Sequence, residues 1–509
     1  KASQWDEFSQ WLPSAQYMFQ FNGFPSSTLP QSPAYFPAYP QAAIMLTYLS
    51  SRLTGFFIEN AGALANLIML LCFAPIYLSV VARGLQLDKG WNSQWKYAAF
   101  GILGVTVLST VFVQKLVFTA YADTPTAITL AVLGVLAWMI LSDLENANPS
   151  ARTLAWHFSL VSSLFINLKQ VNLVLLAILM MAAMLIAFRD PKINVKSFLR
   201  LLPVMLIGPA IVFLSWRYHI GQHLAVGEFQ FKPYGEWLLP QASTIFSRMV
   251  LVLSKKGFYL AMMGGLSLYG VHSLFRYRGE FDRMAIIAGS LFIGYNLFLF
   301  VTYITAFDSH EGPRVASLWR YNTQLGLLGC TAAVYELSIL WCKVEIKPAA
   351  RTFLSGLAIA LVVSIPFLTA ERLRFDIRPP KDHSRMVANY LSEELPARSR
   401  VAIINVRGAG MAWLIVRYEF TAVSGNLKKL RWIWPFKVLG KSPLVIAKDV
   451  QKKNITHAWV YEVTEEVNAS MGLALAKYQS HLLEWTGKGW QVTKSWPYDG
   501  YKDPMSFPD

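Results

Sequence analysis

Apolar residues run in long blocks along this chain, and polar residues are confined to the gaps. Blocks nearly free of charge occupy residues 60–82, 97–114, 125–142, 153–168, 171–188, 199–217, 257–275, 284–305, 321–342 and 352–371. Each approaches the roughly 17–25 residues that cross a bilayer as a helix. The pattern therefore predicts a polytopic α-helical membrane protein of about ten spans. Residues 34–55 and 236–254 are too short or too aromatic for spans. They predict helices lying at the interface, where Tyr and Trp collect. Lys255 and Lys256 follow the second and are placed to snorkel to headgroups.

Beyond about 372 the pattern changes. Arg378-Pro-Pro-Lys381 predicts a linker. An amphipathic helix is expected at 383–395, a buried strand at 400–406, a helix at 409–418, a strand at 457–463 and a helix at 465–479. The runs 482–485 and 490–496 predict a hairpin. The expected division is a spanning domain over 1–371, with a first outer loop over 1–59, and a soluble extracytoplasmic α/β domain over 372–509. Gly408 and Gly410 follow the first strand, but Trp413 stands where a dinucleotide fingerprint needs its third glycine. A plain strand-to-helix turn is the expectation there.

Composition narrows the class. The chain is 54% hydrophobic and only 15% charged, against roughly 25% charged for a soluble domain. That excludes a soluble enzyme, a disordered chain and a fibrous protein. Net charge is +16, from 46 basic and 30 acidic residues. Much of the excess lies in the connectors 83–96, 189–200, 275–283 and 343–351. Strict alternation puts these on one side, which the positive-inside bias makes cytoplasmic. A nucleic-acid partner is not indicated. The opposite face then holds 1–59, the 115–124 turn, the turn at Lys169, the loops 218–256 and 306–320, and the tail. The polar, aromatic start of the chain reads as the inside of an outer loop, so a further span is expected before it, giving eleven or more in a full chain. Cys72, Cys330 and Cys342 sit within or at the end of apolar blocks and form no disulfide or zinc pattern.

Four polar groups gather on the outer face. The first is Trp5-Asp6-Glu7-Phe8. Apolar neighbours raise a carboxylate's pKa and make it a better general base, and a solvated pair with interface-anchoring aromatics is the plainer alternative. The second is Asp123 before Pro125, which reads equally as a helix cap. The third is Lys169-Gln170 in a short turn between two spans, a point charge for phosphate or a snorkelling side chain. The fourth runs from Asp308 through His310, Glu311 and Arg314 to Arg320-Tyr321. The guanidinium fork of Arg suits phosphate oxygens, whether of a substrate or of lipid headgroups. His310 beside Glu311, and His219 with His223, are poor evidence for a metal, and none is called. The segment Leu427–Lys441 mixes cations with aromatics, which on this face suits anionic headgroups or glycans.

The order of these elements resembles the GT-C superfamily of integral-membrane glycosyltransferases that use polyprenyl-phosphate sugars. Asp6-Glu7 resembles the acidic first loop of that family, and Tyr35-Phe-Pro-Ala-Tyr39-Pro40 its Tyr-Pro-Pro-like segment. Asp123 is similar to its second acidic position, Lys169-Gln170 to its phosphate-side lysine, and Arg320-Tyr321 to its later Arg-Tyr element. Ala38 and Gln41 stand where related sequences often have Pro and Gly, and Gln170 where a glutamate is common.

The resemblance implies displacement at a sugar's anomeric carbon, with inversion and with polyprenyl phosphate leaving. Asp6, or else Glu7, would deprotonate a hydroxyl of a glycan, glycolipid or protein acceptor. Lys169, Arg320, Tyr321 and Arg314 would hold the donor phosphate, and Asp123 would orient the reactants. Trp5, Tyr35, Tyr39, His310 and Glu311 are candidate substrate contacts. No cofactor is required. The implied setting is a bacterial inner membrane with the active site facing the periplasm or cell exterior. A lipid-linked glycan flippase or other transporter and a non-catalytic envelope scaffold are the alternatives. Transporters carry ionisable residues near the midplane, whereas here they gather at span ends.

Overall fold

The computed structural model describes residues 2–87, 95–107, 114–224, 230–277, 279–345, 347–368, 379–396, 398–406, 410–424 and 433–498. Gly408, residues 427–432 of the 427–441 segment, residues 88–94 of the 83–96 connector and residues 372–378 lie outside the described residues, and Pro379–Lys381 of the expected linker open a helix instead. The chain divides into two compact units: Phe36–Leu373, and Lys1–Tyr35 together with Arg374–Asp509. The first 35 residues group with the C-terminal residues rather than with the helices that follow them.

The N-terminal segment is a π-helical turn, Glu7–Trp11, continuing into α1 (Leu12–Phe21). The spanning unit then follows: α2 (Ala42–Thr54), α3 (Ala61–Gly84), α4 (Trp95–Val107), α5 (Gln114–Val117), α6 (Asp123–Glu145), α7 (Ser150–Ile166), α8 (Asn172–Arg189), α9 (Val195–His223), α10 (Ala242–Ser254), α11 (Gly257–Phe275), α12 (Glu280–Thr305), α13 (Leu318–Lys343) and α14 (Pro348–Leu368). The described residues of each predicted apolar block lie largely on these helices, those of 97–114 on α4 and α5. Among the described residues, seven helices are long and apolar enough to cross a membrane: α3, α6, α8, α9, α11, α12 and α13. The chain is an integral membrane protein. Helix α4, with 13 described residues, is shorter than the usual spanning length, and α7, with 17, is at its lower limit. The interfacial helix expected at 34–55 begins only at Ala42, after a Pro-rich segment. The one expected from 236 begins at Ala242, because Pro240 sits in a separate 3-10 turn.

Helix α6 is the axis of the bundle. It is buried along nearly its whole length, from Asp123 to Ser142. Lipid tails are as apolar as leucine, so small residues that let backbones approach closely drive helix pairing here. Gly270 of α11 and Gly289 of α12 serve this purpose. A Cβ on Gly270 would stand 2.7 Å from the Ala285 carbonyl oxygen, and one on Gly289 would stand 2.8 Å from the Ser267 Cα.

One end of α6 is pinned by charge. Arg283 of α12, its side chain 1% exposed, donates to Asp190 Oδ2 at 2.6 Å, to Glu145 Oε2 at 2.6 Å and to Ser142 Oγ at 3.0 Å. Lys192 reaches the other oxygen of Glu145 at 2.7 Å. Nearby, Arg83 bonds the Glu280 carboxylate, which also accepts from Tyr335 at 2.9 Å. These pairs lie at the end that carries the basic connectors.

The C-terminal domain contains α15 (Pro379–Glu394), β1 (Val401–Ile404), α16 (Met411–Ser424), β2 (Ile433–Pro435), α17 (Pro443–Lys453), β3 (His457–Val460), α18 (Glu465–Met471), β4 (Gln479–Trp485) and β5 (Trp490–Pro497). The sheet order is β2-β1-β3-β4-β5, with β1 parallel to both β2 and β3, and the β3-β4-β5 pairs antiparallel. Strand β2 and helix α17 are not expected from the sequence. The helix predicted to run to 479 stops at Met471, because Gly472 takes a left-handed cap at φ 66°.

Candidate active site

The polar groups predicted on one face fall into two sets, one in each unit. In the spanning unit, Asp123 opens α6, and its carboxylate makes no cap to its own helix. Instead Lys169, in the turn between α7 and α8, places Nζ 2.7 Å from Asp123 Oδ1. Gln324 Nε2, from the first turns of α13, donates to the same oxygen at 2.8 Å. Both ionic partners are buried, Lys169 at 8% exposure and Asp123 at 3%. A buried pair is maintained only when its geometry is good and further hydrogen bonds are present. Gln324 supplies one, and its own Oε1 accepts from Tyr295 at 3.1 Å. Asp123 Oδ2 is buried and makes no hydrogen bond. Asn172, fully buried at the start of α8, donates to Thr126 Oγ1 at 3.2 Å, one turn along α6.

Arg320 lies one turn before Gln324 on α13, half-buried, with its guanidinium 5.5 Å from the ring centre of Tyr121 and 5.3 Å from that of Tyr321. Its charge acts on Asp123 along with that of Lys169. The turn before α6, the α7–α8 turn and the start of α13 thus converge on one end of the bundle. That end is opposite the Arg283–Asp190 pin, since α6 runs between them. The site is framed on the far side of α13 by Asn322, which exchanges amide hydrogen bonds of 3.0 Å with Asn296 and accepts from Tyr259 at 3.1 Å. Lys256, expected to snorkel, sits 5.3 Å from the ring centre of Trp319.

The loop before α13 behaves as a folded turn. Asp308 Oδ1 accepts from the backbone N–H of His310 at 2.9 Å and of Glu311 at 2.7 Å. These donors hold the Asp308 carboxyl below the usual carboxylate range. Arg314 Nη1 lies 3.0 Å from His310 Nε2. His310, Glu311 and Arg314 are all exposed, and these hydrogen bonds lie within their own loop. Among the described residues no group of three or more His, Cys, Asp or Glu side chains is arranged to hold a metal ion. Tyr39 stacks on Phe36 at 4.8 Å.

In the other unit, Asp6 and Glu7 part company. Glu7 is buried, and its Oε2 accepts from the backbone N–H of Ser3 at 2.7 Å and of Gln4 at 3.0 Å. It reaches back to free donors at a helix start, as the glutamate of a capping box does. Asp6, one position earlier, is half-buried. Trp5 packs edge-on against Tyr35 at 5.3 Å, and Phe8 against Tyr418 at 5.5 Å. Burial raises the Tyr35 hydroxyl above its ordinary value, with Arg417 opposing.

No protein-family model and no curated protein matches this sequence. Solved structures do. ArnT from Cupriavidus metallidurans in the apo state aligns over 94% of this chain and 91% of its own, with TM-score 0.52 at 12% identity. The same protein bound to undecaprenyl phosphate aligns over 94% and 92%, with TM-score 0.52 at 11% identity. The chain has the GT-C fold. The fold resemblance seen in the sequence is therefore borne out across the chain. An oligosaccharyltransferase from Archaeoglobus fulgidus aligns less closely, with TM-score 0.48 at 10% identity over 99% of this chain and 70% of its own.

The sequence missed Gln324, Tyr295 and the internal bonding of Asn172. Gln324 carried a signal, since it lies four residues after Arg320 and so on the same helix face. Tyr295 carried none, because its partner is 29 residues away on another helix.

Proposed function

We propose that this protein is a membrane glycosyltransferase that moves a sugar from a polyprenyl-phosphate donor to a hydroxyl of a cell-envelope glycan, glycolipid or protein acceptor. The reaction takes place on the outer face of a bacterial inner membrane. The observation that carries this reading is the Lys169–Asp123–Gln324 cluster, with Arg320 beside it, at one end of a GT-C bundle. The likeness to a protein bound to undecaprenyl phosphate supports it. Lys169 and Arg320 stabilise charge as it develops on the departing phosphate, the kind of electrostatic help that is worth most where water is excluded. Asp123 holds Lys169 in place. Tyr321 and Arg314 are the further candidates for the phosphate, and the candidate substrate contacts are Tyr39, His310 and Glu311 in the spanning unit and Trp5 and Tyr35 in the other. Asp6 is the general base. Glu7, whose carboxylate is bonded to backbone N–H groups, is the structural member of the pair.

The test is acceptor-dependent release of free polyprenyl phosphate by the purified protein, reconstituted with lipid-linked sugars of its host. Release should vanish in Asp6→Asn and fall at least a hundredfold in Lys169→Ala and Arg320→Ala. Undiminished turnover in both basic variants would remove the phosphate scheme. Transport of the lipid-linked sugar without release would move the protein to the flippase class.

A further inference from the structure

The N-terminal acidic segment and the C-terminal domain are far apart in sequence yet fold as one compact unit. The contacts that join them are specific. Arg385, on α15, donates to the carbonyl oxygen of Ala2 at 3.3 Å, and its guanidinium lies 5.4 Å from the ring centre of Phe8. Arg417, on α16, donates to the carbonyl oxygen of Pro33 at 2.8 Å. The two arginines thus hold the segment near its two ends. Between them, Tyr35 N–H donates to the Ser9 carbonyl at 3.1 Å and closes the segment on itself.

Both aromatic neighbours of the acidic pair are included. Phe8 packs edge-on against Tyr418 of α16. Trp5 packs against Tyr35, which feels the Arg417 charge and follows Pro33 by two residues. Glu7 fixes the backbone of residues 3–4 from within. Asp6 lies between Trp5 and Glu7, and residues on both sides of it are tied to the same two helices.

The arginines are not solvated surface groups. Arg385 pairs with Glu419 of α16 at 3.0 Å, the two side chains being 14% and 11% exposed. Burial pushes the Arg417 guanidinium below its ordinary pKa. A buried ion pair gives little net stability compared with apolar packing. What it does give is a fixed register, because donors and acceptors match in one arrangement only.

We propose that α15 and α16 of the C-terminal domain form the platform that positions Asp6, with Arg385 and Arg417 as the positioning residues. The inference rests on the reading of Asp6 as general base. It gives the C-terminal domain a role in the reaction itself, since a base displaced by one ångström or so loses about a hundredfold in rate. The arginines act through the backbone and aromatic neighbours of Asp6 and need not touch substrate.

The full chain in detergent or nanodiscs tests this with Arg385→Ala, Arg417→Ala, Arg385→Lys and Arg417→Lys. Amide hydrogen exchange is the first readout. In the alanine variants, residues 3–12 should exchange at least tenfold faster, with α6 and α13 unchanged. The second readout is kinetic. The kcat should fall at least tenfold, the donor KM should stay within twofold, and the lysine variants, which keep a donor for each carbonyl, should recover most of both effects. Unchanged exchange over 3–12 overturns the platform, and faster exchange with unchanged kcat overturns the positioning role. A wild-type protein without any polyprenyl phosphate release overturns the transferase reading instead, and the exchange readout still decides whether the platform exists.

Discussion

Lys169 and Asp123 meet at 2.7 Å although they lie in different turns of the chain, and both are nearly sealed from solvent. The pair fixes the α7–α8 turn against the first turn of α6, and Gln324 connects it to α13. One salt bridge therefore gathers three helix ends into the arrangement that the proposed chemistry requires.

Removing one partner leaves the other charge buried. Asp123→Asn and Lys169→Met should each lower stability by about 3–5 kcal/mol, whereas the double variant should cost less than the two singles combined. Thermal unfolding in detergent measures all three, and additive losses would show that the pair is not coupled.

The acidic pair should divide its labour. Asp6→Asn is expected to abolish turnover with unchanged unfolding temperature. Glu7→Gln should cost roughly 0.5–2 kcal/mol, the usual range for a lost cap, and retain measurable turnover. Loss of turnover in Glu7→Gln with no change in stability would exchange the two roles.

Arg283 is a structural counterpart at the other end of α6. Arg283→Met removes the buried cation from Asp190, leaves Glu145 to Lys192 alone, and should destabilise by about 3–5 kcal/mol. Turnover per folded molecule should stay within twofold of wild type. A tenfold fall in specific turnover would place this cluster in the reaction.

The C-terminal domain should be acid-sensitive through His383. Burial lowers its pKa from 6.5 to about 4, and its ring stacks on Tyr498 at 4.0 Å and lies 2.8 Å from Ser480 Oγ. The folded state favours the neutral ring, so the unfolded chain binds more protons between these two values. The contribution is complete above about pH 6.5 and is lost as pH falls toward 4, a total of roughly 3 kcal/mol. Unfolding temperature measured across this range should fall less in His383→Gln than in wild type. Parallel curves would assign the acid sensitivity to other groups.

What the sequence determined alone is what repeats along the chain. Long apolar blocks specify helices, because burial in lipid demands some twenty apolar residues in a row and a closed backbone hydrogen-bond pattern, and among the described residues seven of these helices are long and apolar enough to cross a membrane. The β4–β5 hairpin was visible because its signal is also local, two short apolar and aromatic runs on either side of Thr486-Gly-Lys-Gly489. The candidate residues were legible as polar exceptions to an apolar rule, and Asp123, Lys169 and Arg320 all stood out in that way. Tertiary structure decided which of these exceptions meet. Asp123 reads equally well as a cap, and only the packing of α6 against the α7–α8 turn directs its carboxylate to Lys169. Glu7 and Asp6 are chemically interchangeable in the sequence, and they separate only because the backbone turns Glu7 back onto Ser3 and Gln4. The partnership of Arg385 and Arg417 with the N-terminal segment has no local signature at all. It spans more than three hundred residues, and hydrogen bonds to main-chain carbonyls leave no mark on the identity of the residues that accept them.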